Sequence, residues 1–187
     1  MNYDSESLFE ILTNYAVEVG LLDNKDEIIV TQETQKDLIS AIVDDVSNSK
    51  ISDFNGRNPF HLSFKYVFSK GFELAVLTDE FGAELYCEHT DYNYEDLLED
   101  RCGLAADKKW IPLIDITLSL YINGLYDSYQ QYVTTAYSKS KDVDTWSIFD
   151  QALRVINILG ITFGKRCIKK RKPWQLIRGN DGRNKIN

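Results

Sequence analysis

Six carboxylates step along the middle of the chain: Glu80, Glu84, Glu88, Asp91, Glu95 and Glu99, at intervals of four, four, three, four and four. On an uninterrupted helix this spacing gathers them within an arc of about 100°. Like charges so placed repel one another and destabilise the helix that carries them. Three readings of such a row compete. As a solvated face it does nothing specific, which is the usual role of a charge run. As a partner-binding face it imitates the phosphate row of a nucleic acid and fits a basic groove on another protein. As half of a metal site it works with a second acidic helix carrying Asp37, Asp44 and Asp45 to hold magnesium for nucleotide hydrolysis. The ExxE and ExxD spacings of helical nucleotide hydrolases are not matched, because Glu95 and Glu99 stand one residue too far apart. The turn formers of "TDYN", residues 90–93, would also interrupt the row.

A second constellation has the opposite sign. Lys165, Arg166, Lys169, Lys170, Arg171 and Lys172 place six cations within eight positions, and Trp174 follows Pro173. Basic side chains bind phosphates, and an aromatic ring can stack on an exposed base. "KKRKP" also has the form of a short nuclear import signal. Two structural explanations stand beside these. Cations at a helix C-terminus complement the helix dipole. A basic end can also neutralise its own acidic domain.

The remaining reactive residues are sparse. His61 and His89 are the two histidines, and His61 sits beside a phenylalanine-rich helical face, where a partly buried packing role is expected. Cys87, His89, Asp91 and Cys102 could surround zinc, but their spacing follows no standard arrangement. The three cysteines, with Cys167, form no CxxC pair and fit reduced thiols of a cytosolic protein. No phosphate loop, dinucleotide fingerprint, HExxH or GxSxG occurs. The sequence therefore asks for no cofactor and no metal, and it names no catalytic residue.

Charge is divided unevenly over the 187 residues. Residues 165–187 hold nine Lys or Arg against Asp181 alone, a net of +8. Residues 1–164 keep 12 basic and 28 acidic residues, a net of −16, which together give the chain's −8. This layout divides the chain into an acidic helical domain, 1–164, and a basic C-terminal segment, 165–187.

Helical periodicity runs through most of the acidic part. Leu8, Leu12, Tyr15 and Val19 space out a first helix that Gly20 should stop. Thr31 is the expected cap of a second, whose apolar side is Leu38, Ile39, Ile42, Val43 and Val46. "SDFNGRN" reads as a loop, and Asn58 with Pro59 as cap and first turn of a third helix ending at Gly71. Further helices are expected over residues 72–89 and after Asp91 or Asn93. A long aromatic run follows, through Ile114, Leu118, Tyr121, Leu125, Tyr129, Tyr132 and Ala136, suited to a domain core or a dimer seam. Asp144 should cap a last helix that ends at Gly160 or continues to Pro173. No apolar run is long enough to cross a membrane.

The elements predict an all-α fold, a single compact bundle of about six or seven helices with a basic C-terminal extension. The expected function is non-enzymatic: a cytoplasmic interaction protein that binds a basic-surfaced macromolecule through the acidic face, as an inhibitor or adaptor of a nucleic-acid-handling protein. The alternatives are nucleic-acid binding by the basic segment and a magnesium-dependent helical nucleotide hydrolase.

Overall fold

The computed structural model describes residues 5–28, 34–79 and 116–170. Five α-helices carry this part: α1 (Ser5–Glu18), α2 (Lys36–Asn48), α3 (Pro59–Leu77), α4 (Ile116–Lys139) and α5 (Thr145–Lys170). Two 3-10 turns, Lys25–Glu27 and Ile51–Phe54, complete them, and the described residues contain no strand. The fold is all-α. Five helices are fewer than the sequence suggests, for two reasons. Residues 72–77, expected to open a separate helix, continue α3, and the helix expected after Asp91 or Asn93 lies outside the described residues.

α5 is the axis of the bundle. Its 26 residues span about 39 Å at the helical rise. Residues Leu159 to Gly164 are buried on every side, as a helix surrounded by others must be. α3 packs along it, with α1 and α2 against its other faces and α4 against α1 and α3. Phe64, Phe68, Phe149, Ile156 and Leu159 are fully excluded from solvent. Side chains of this size each contribute about 1.5–3 kcal/mol on burial.

Glycines set the α3–α5 spacing. Gly71 does not end its helix, as its local sequence suggests, but lies inside α3, and of the two ends expected for the last helix the longer holds, so that Gly160 lies inside α5. A Cβ on Gly71 would strike the main-chain oxygen of Asn157, and one on Gly160 that of Phe68. Gly164 faces Phe72 and Ala75 in the same way. A small residue each fourth position lets the two backbones approach until main chain meets main chain, and any larger residue forces them apart.

Several buried polar groups in this crossing are satisfied. Asn157, fully buried, donates from Nδ2 to the Val67 carbonyl and to Gln35 Oε1, both at 3.1 Å. Its Oδ1 accepts the Gln35 amide at 3.2 Å. That bond holds the chain at Gln35, directly before α2, against α5, with the Gln35 backbone at φ −74, ψ 70; Thr31, the expected cap, lies outside the described residues. Ser63, Ser69 and Thr162 return their hydroxyls to carbonyls one turn back. Lys70 and the buried Glu73 pair at 2.9 Å, with the Lys70 ammonium 5.5 Å from the centre of the Tyr66 ring.

Local signals elsewhere agree with the structure. Asn58 Oδ1 accepts the amides of Phe60 and His61 at 3.0 and 3.3 Å, capping α3 ahead of Pro59. Asp144 Oδ1 accepts those of Trp146 and Ser147, both at 3.1 Å, capping α5. Gly20 at φ +77 turns the chain out of α1, and Asn55 and Gly56, both at positive φ, form the loop before α3. Leu125, Tyr129 and Ala136 of the aromatic run are buried within the single chain, so that part of the run is domain core.

Candidate functional site

Four places on the molecule carry polar or aromatic groups that structure alone does not fully explain. The first is the outer face of α2. Ile39, Ile42 and Val46 turn inward, and Asp37, Asp44 and Asp45 stand exposed. None of these three forms an ion pair with a Lys or Arg among the described residues. Asp45 receives only a hydroxyl, from Ser49 at 3.4 Å. The stripe of Glu80, Glu84, Glu88, Asp91, Glu95 and Glu99 lies outside the described residues, as do Cys87, His89 and Cys102. No group of three or more His, Cys, Asp or Glu among the described residues is placed to hold a metal ion.

The second place is the basic block. Lys165, Arg166, Lys169 and Lys170 belong to the last turns of α5, which runs unbroken past residue 164. Arg171, Lys172 and Trp174 lie outside the described residues. Arg166 turns back onto the domain. Its guanidinium donates to the carbonyls of Gly20 and Leu21, at 3.2 and 2.5 Å, and pairs with Asp23. This fork holds the α1 exit, where Leu21 and Leu22 are buried. A planar donor group that reaches two carbonyls and a carboxylate at once is a use for Arg that Lys cannot reproduce. Lys169 remains exposed.

The third place surrounds His61. Its Nε2 donates to Asn123 Oδ1, and its ring meets the edge of Tyr126 with 5.2 Å between centroids. Burial holds its pKa below the ordinary histidine value; the Asn123 bond opposes the shift, the nearby Lys65 charge adds to it, and Asp127 works against it. His61 is thus a neutral, half-buried packing residue bonded to an amide, as the sequence suggests, and no carboxylate among the described residues orients it as a general base.

The fourth place is a recess that sequence reasoning misses. It measures about 330 Å³. The first turns of α3 and α5 supply Phe60, Thr145 and Trp146; one face of α4 supplies Tyr126, Tyr129, Gln130, Val133 and Thr134. Phe60 stacks on Trp146 at 5.8 Å and meets the Phe149 edge at 4.9 Å. Phe64 supports Tyr126 and Tyr129 from below, at 5.3 and 5.2 Å. Burial drives the Tyr129 pKa far above the normal phenol value, with the Tyr126 phenol adding to it, so its hydroxyl stays protonated. Trp146 is 41% exposed. The one local signal is a tryptophan two residues after the Asp144 cap, at the start of the apolar stripe of its helix; its neighbours in the recess lie up to 86 positions away in sequence, at Phe60.

Compared with known proteins, the chain matches no protein-family model, no curated sequence and no solved structure. No helix among the described residues is long and apolar enough to cross a membrane.

Proposed function

We propose that this chain is a non-enzymatic, cytoplasmic interaction protein whose acidic helical faces bind a macromolecular partner with a basic surface, as an inhibitor or adaptor of a nucleic-acid-handling protein. One observation carries the reading: Asp37, Asp44 and Asp45 stand exposed on one helix without a basic partner among the described residues. Unpaired carboxylates keep their field available to an external cation surface, which speeds encounter and excludes acidic competitors. The excess of acid over base in residues 1–164 extends that field. The basic segment, net +8 against −16, offsets only half of it.

The test is capture of partners on immobilised protein at low and moderate salt, against two charge-reversed variants. One replaces Asp37, Asp44 and Asp45 with Lys, the other Glu84, Glu88, Glu95 and Glu99. Loss of the captured proteins with either variant supports the reading; an unchanged capture with both sinks it.

The exposed Lys169 favours a second reading, nucleic-acid contact at the end of α5. Removal of residues 171–187 together with Lys169→Glu keeps Arg166 in place and isolates that role. A gel shift at low salt that this variant abolishes would favour nucleic acid as the ligand.

A further inference from the structure

We propose that the recess between α3, α4 and α5 binds a neutral, flat aromatic small molecule of one or two fused rings that carries a hydrogen-bond acceptor. Size is the first argument. A recess of about 330 Å³ stands at the small end of the range for ligand pockets, about 300–1,000 Å³. It suits a compact ligand.

Shape and wall chemistry define the ring. Phe60, Tyr126, Tyr129 and Trp146 offer aromatic surfaces from three helices. Aromatic side chains favour offset or edge contacts with another ring, at centroid distances near 4.5–7 Å. The walls are also rigid. Phe60 and Trp146 pack on the fully buried Phe149, and Tyr126 and Tyr129 on the fully buried Phe64. A site held open in this way loses little conformational freedom when filled.

The lining contains no ionised side chain: its polar members are Tyr, Gln and Thr. A charged ligand would lose its hydration without gaining a counter-charge, so the site selects neutral molecules.

Tyr126 supplies the polar handle. Its hydroxyl oxygen accepts from Asn58 Nδ2 at 3.0 Å and from Gln130 Nε2 at 3.2 Å. The Asn58 orientation is forced, because Asn58 Oδ1 is occupied by the two amides at the start of α3. With Asn58 and, in the orientation observed, Gln130 both donating to the oxygen, the phenolic hydrogen has no acceptor among the described residues. Tyr126 lines the open recess, so water can take that hydrogen there, and a ring nitrogen or carbonyl on a ligand can displace that water.

The experiment uses the full-length protein and two probes of the same outline, isoquinoline and naphthalene, of which only isoquinoline has an acceptor. The readout at neutral pH is the indole N–H resonance of Trp146, assigned with Trp146→Phe. Isoquinoline should shift it saturably and bind about fivefold more tightly than naphthalene, the effect of one additional hydrogen bond. Tyr126→Phe should reduce isoquinoline to the naphthalene level. Thr134→Trp, which fills the rim, should abolish both. The absence of a saturable shift up to about 5 mM, where fragment-sized ligands bind, overturns the proposal. Equal affinity of the wild-type protein for the two probes also overturns it, and that comparison needs no variant to fold.

Discussion

The side-chain amide of Asn157 on α5 donates to the main-chain carbonyl of Val67 on α3 at 3.1 Å, inside a crossing from which solvent is excluded. The same side chain binds Gln35 twice, ahead of α2. One amide thus ties three helices together. It does so where Gly71 brings the backbones close.

Substitution of Asn157 should be costly. Asn157→Ala leaves the Gln35 amide and side-chain carbonyl without their partner and opens a cavity, a loss of about 2–4 kcal/mol. Asn157→Asp keeps the volume but places acceptor against acceptor at Val67 and Gln35, and should cost at least as much at neutral pH. Urea unfolding followed by circular dichroism measures both. An Asn157→Asp protein as stable as wild type would contradict the assigned bond directions.

Gly160→Ala separates two roles of glycine. If Gly160 were an ordinary helix residue, Ala would stabilise by about 1 kcal/mol through helix propensity. In this crossing the added methyl meets the Phe68 carbonyl, so the protein should instead lose about 2 kcal/mol, as overpacked cores do. The sign of the change in melting temperature decides.

Arg166→Ala should cost about 2 kcal/mol, because two carbonyls at the α1 exit lose a charge-assisted donor. Asp23→Ala should cost well under 1 kcal/mol, since the Asp23 side chain is 51% exposed and solvent screens the pair. Arg166→Lys should fail to restore wild-type stability, because a single ammonium cannot span the three acceptors. Equal losses for Arg166→Ala and Asp23→Ala would show that the ion pair, not the carbonyl contacts, dominates.

His61 makes stability depend on pH in a defined direction. Its folded pKa is lowered below the ordinary histidine value of 6.5, so the unfolded chain takes up the proton first as pH falls. The stabilisation is complete above pH 6.5, begins to fall away below it, and is lost as pH drops through the folded-state value. His61→Gln should flatten this part of the stability profile. The comparison is the urea midpoint of the two proteins across mildly acidic pH, and parallel curves would exclude the effect.

Local chemistry was the legible part of the fold. Asn58 and Asp144 are short acceptors directly before helical periodicity, and they cap α3 and α5 through amides two and three residues away. The amphipathic pattern of α2 separates its buried and acidic faces correctly for the same reason. Gly71 misled, and Gly160 left two ends open for the last helix, because a glycine that stops a helix and a glycine that admits a neighbouring backbone look alike within their own segment. The Thr31 cap expected for α2 lies outside the described residues; the helix starts at Lys36, after Gln35, whose amide donates to Asn157, 122 positions away.

By itself, the sequence determined the helical class, the two strongest caps and the division of charge between an acidic body and a basic end, all of which depend on residue type and near-neighbour spacing. Only the tertiary structure decided where the cations of that end go. Arg166 is bound to the α1 exit, whereas Lys169, three positions on, faces solvent. It also decided that Phe60, Tyr126, Tyr129 and Trp146 enclose one recess. The physical reason is the same in both cases. A charge or a ring acquires its role from what lies within a few ångströms, and those neighbours come from other helices.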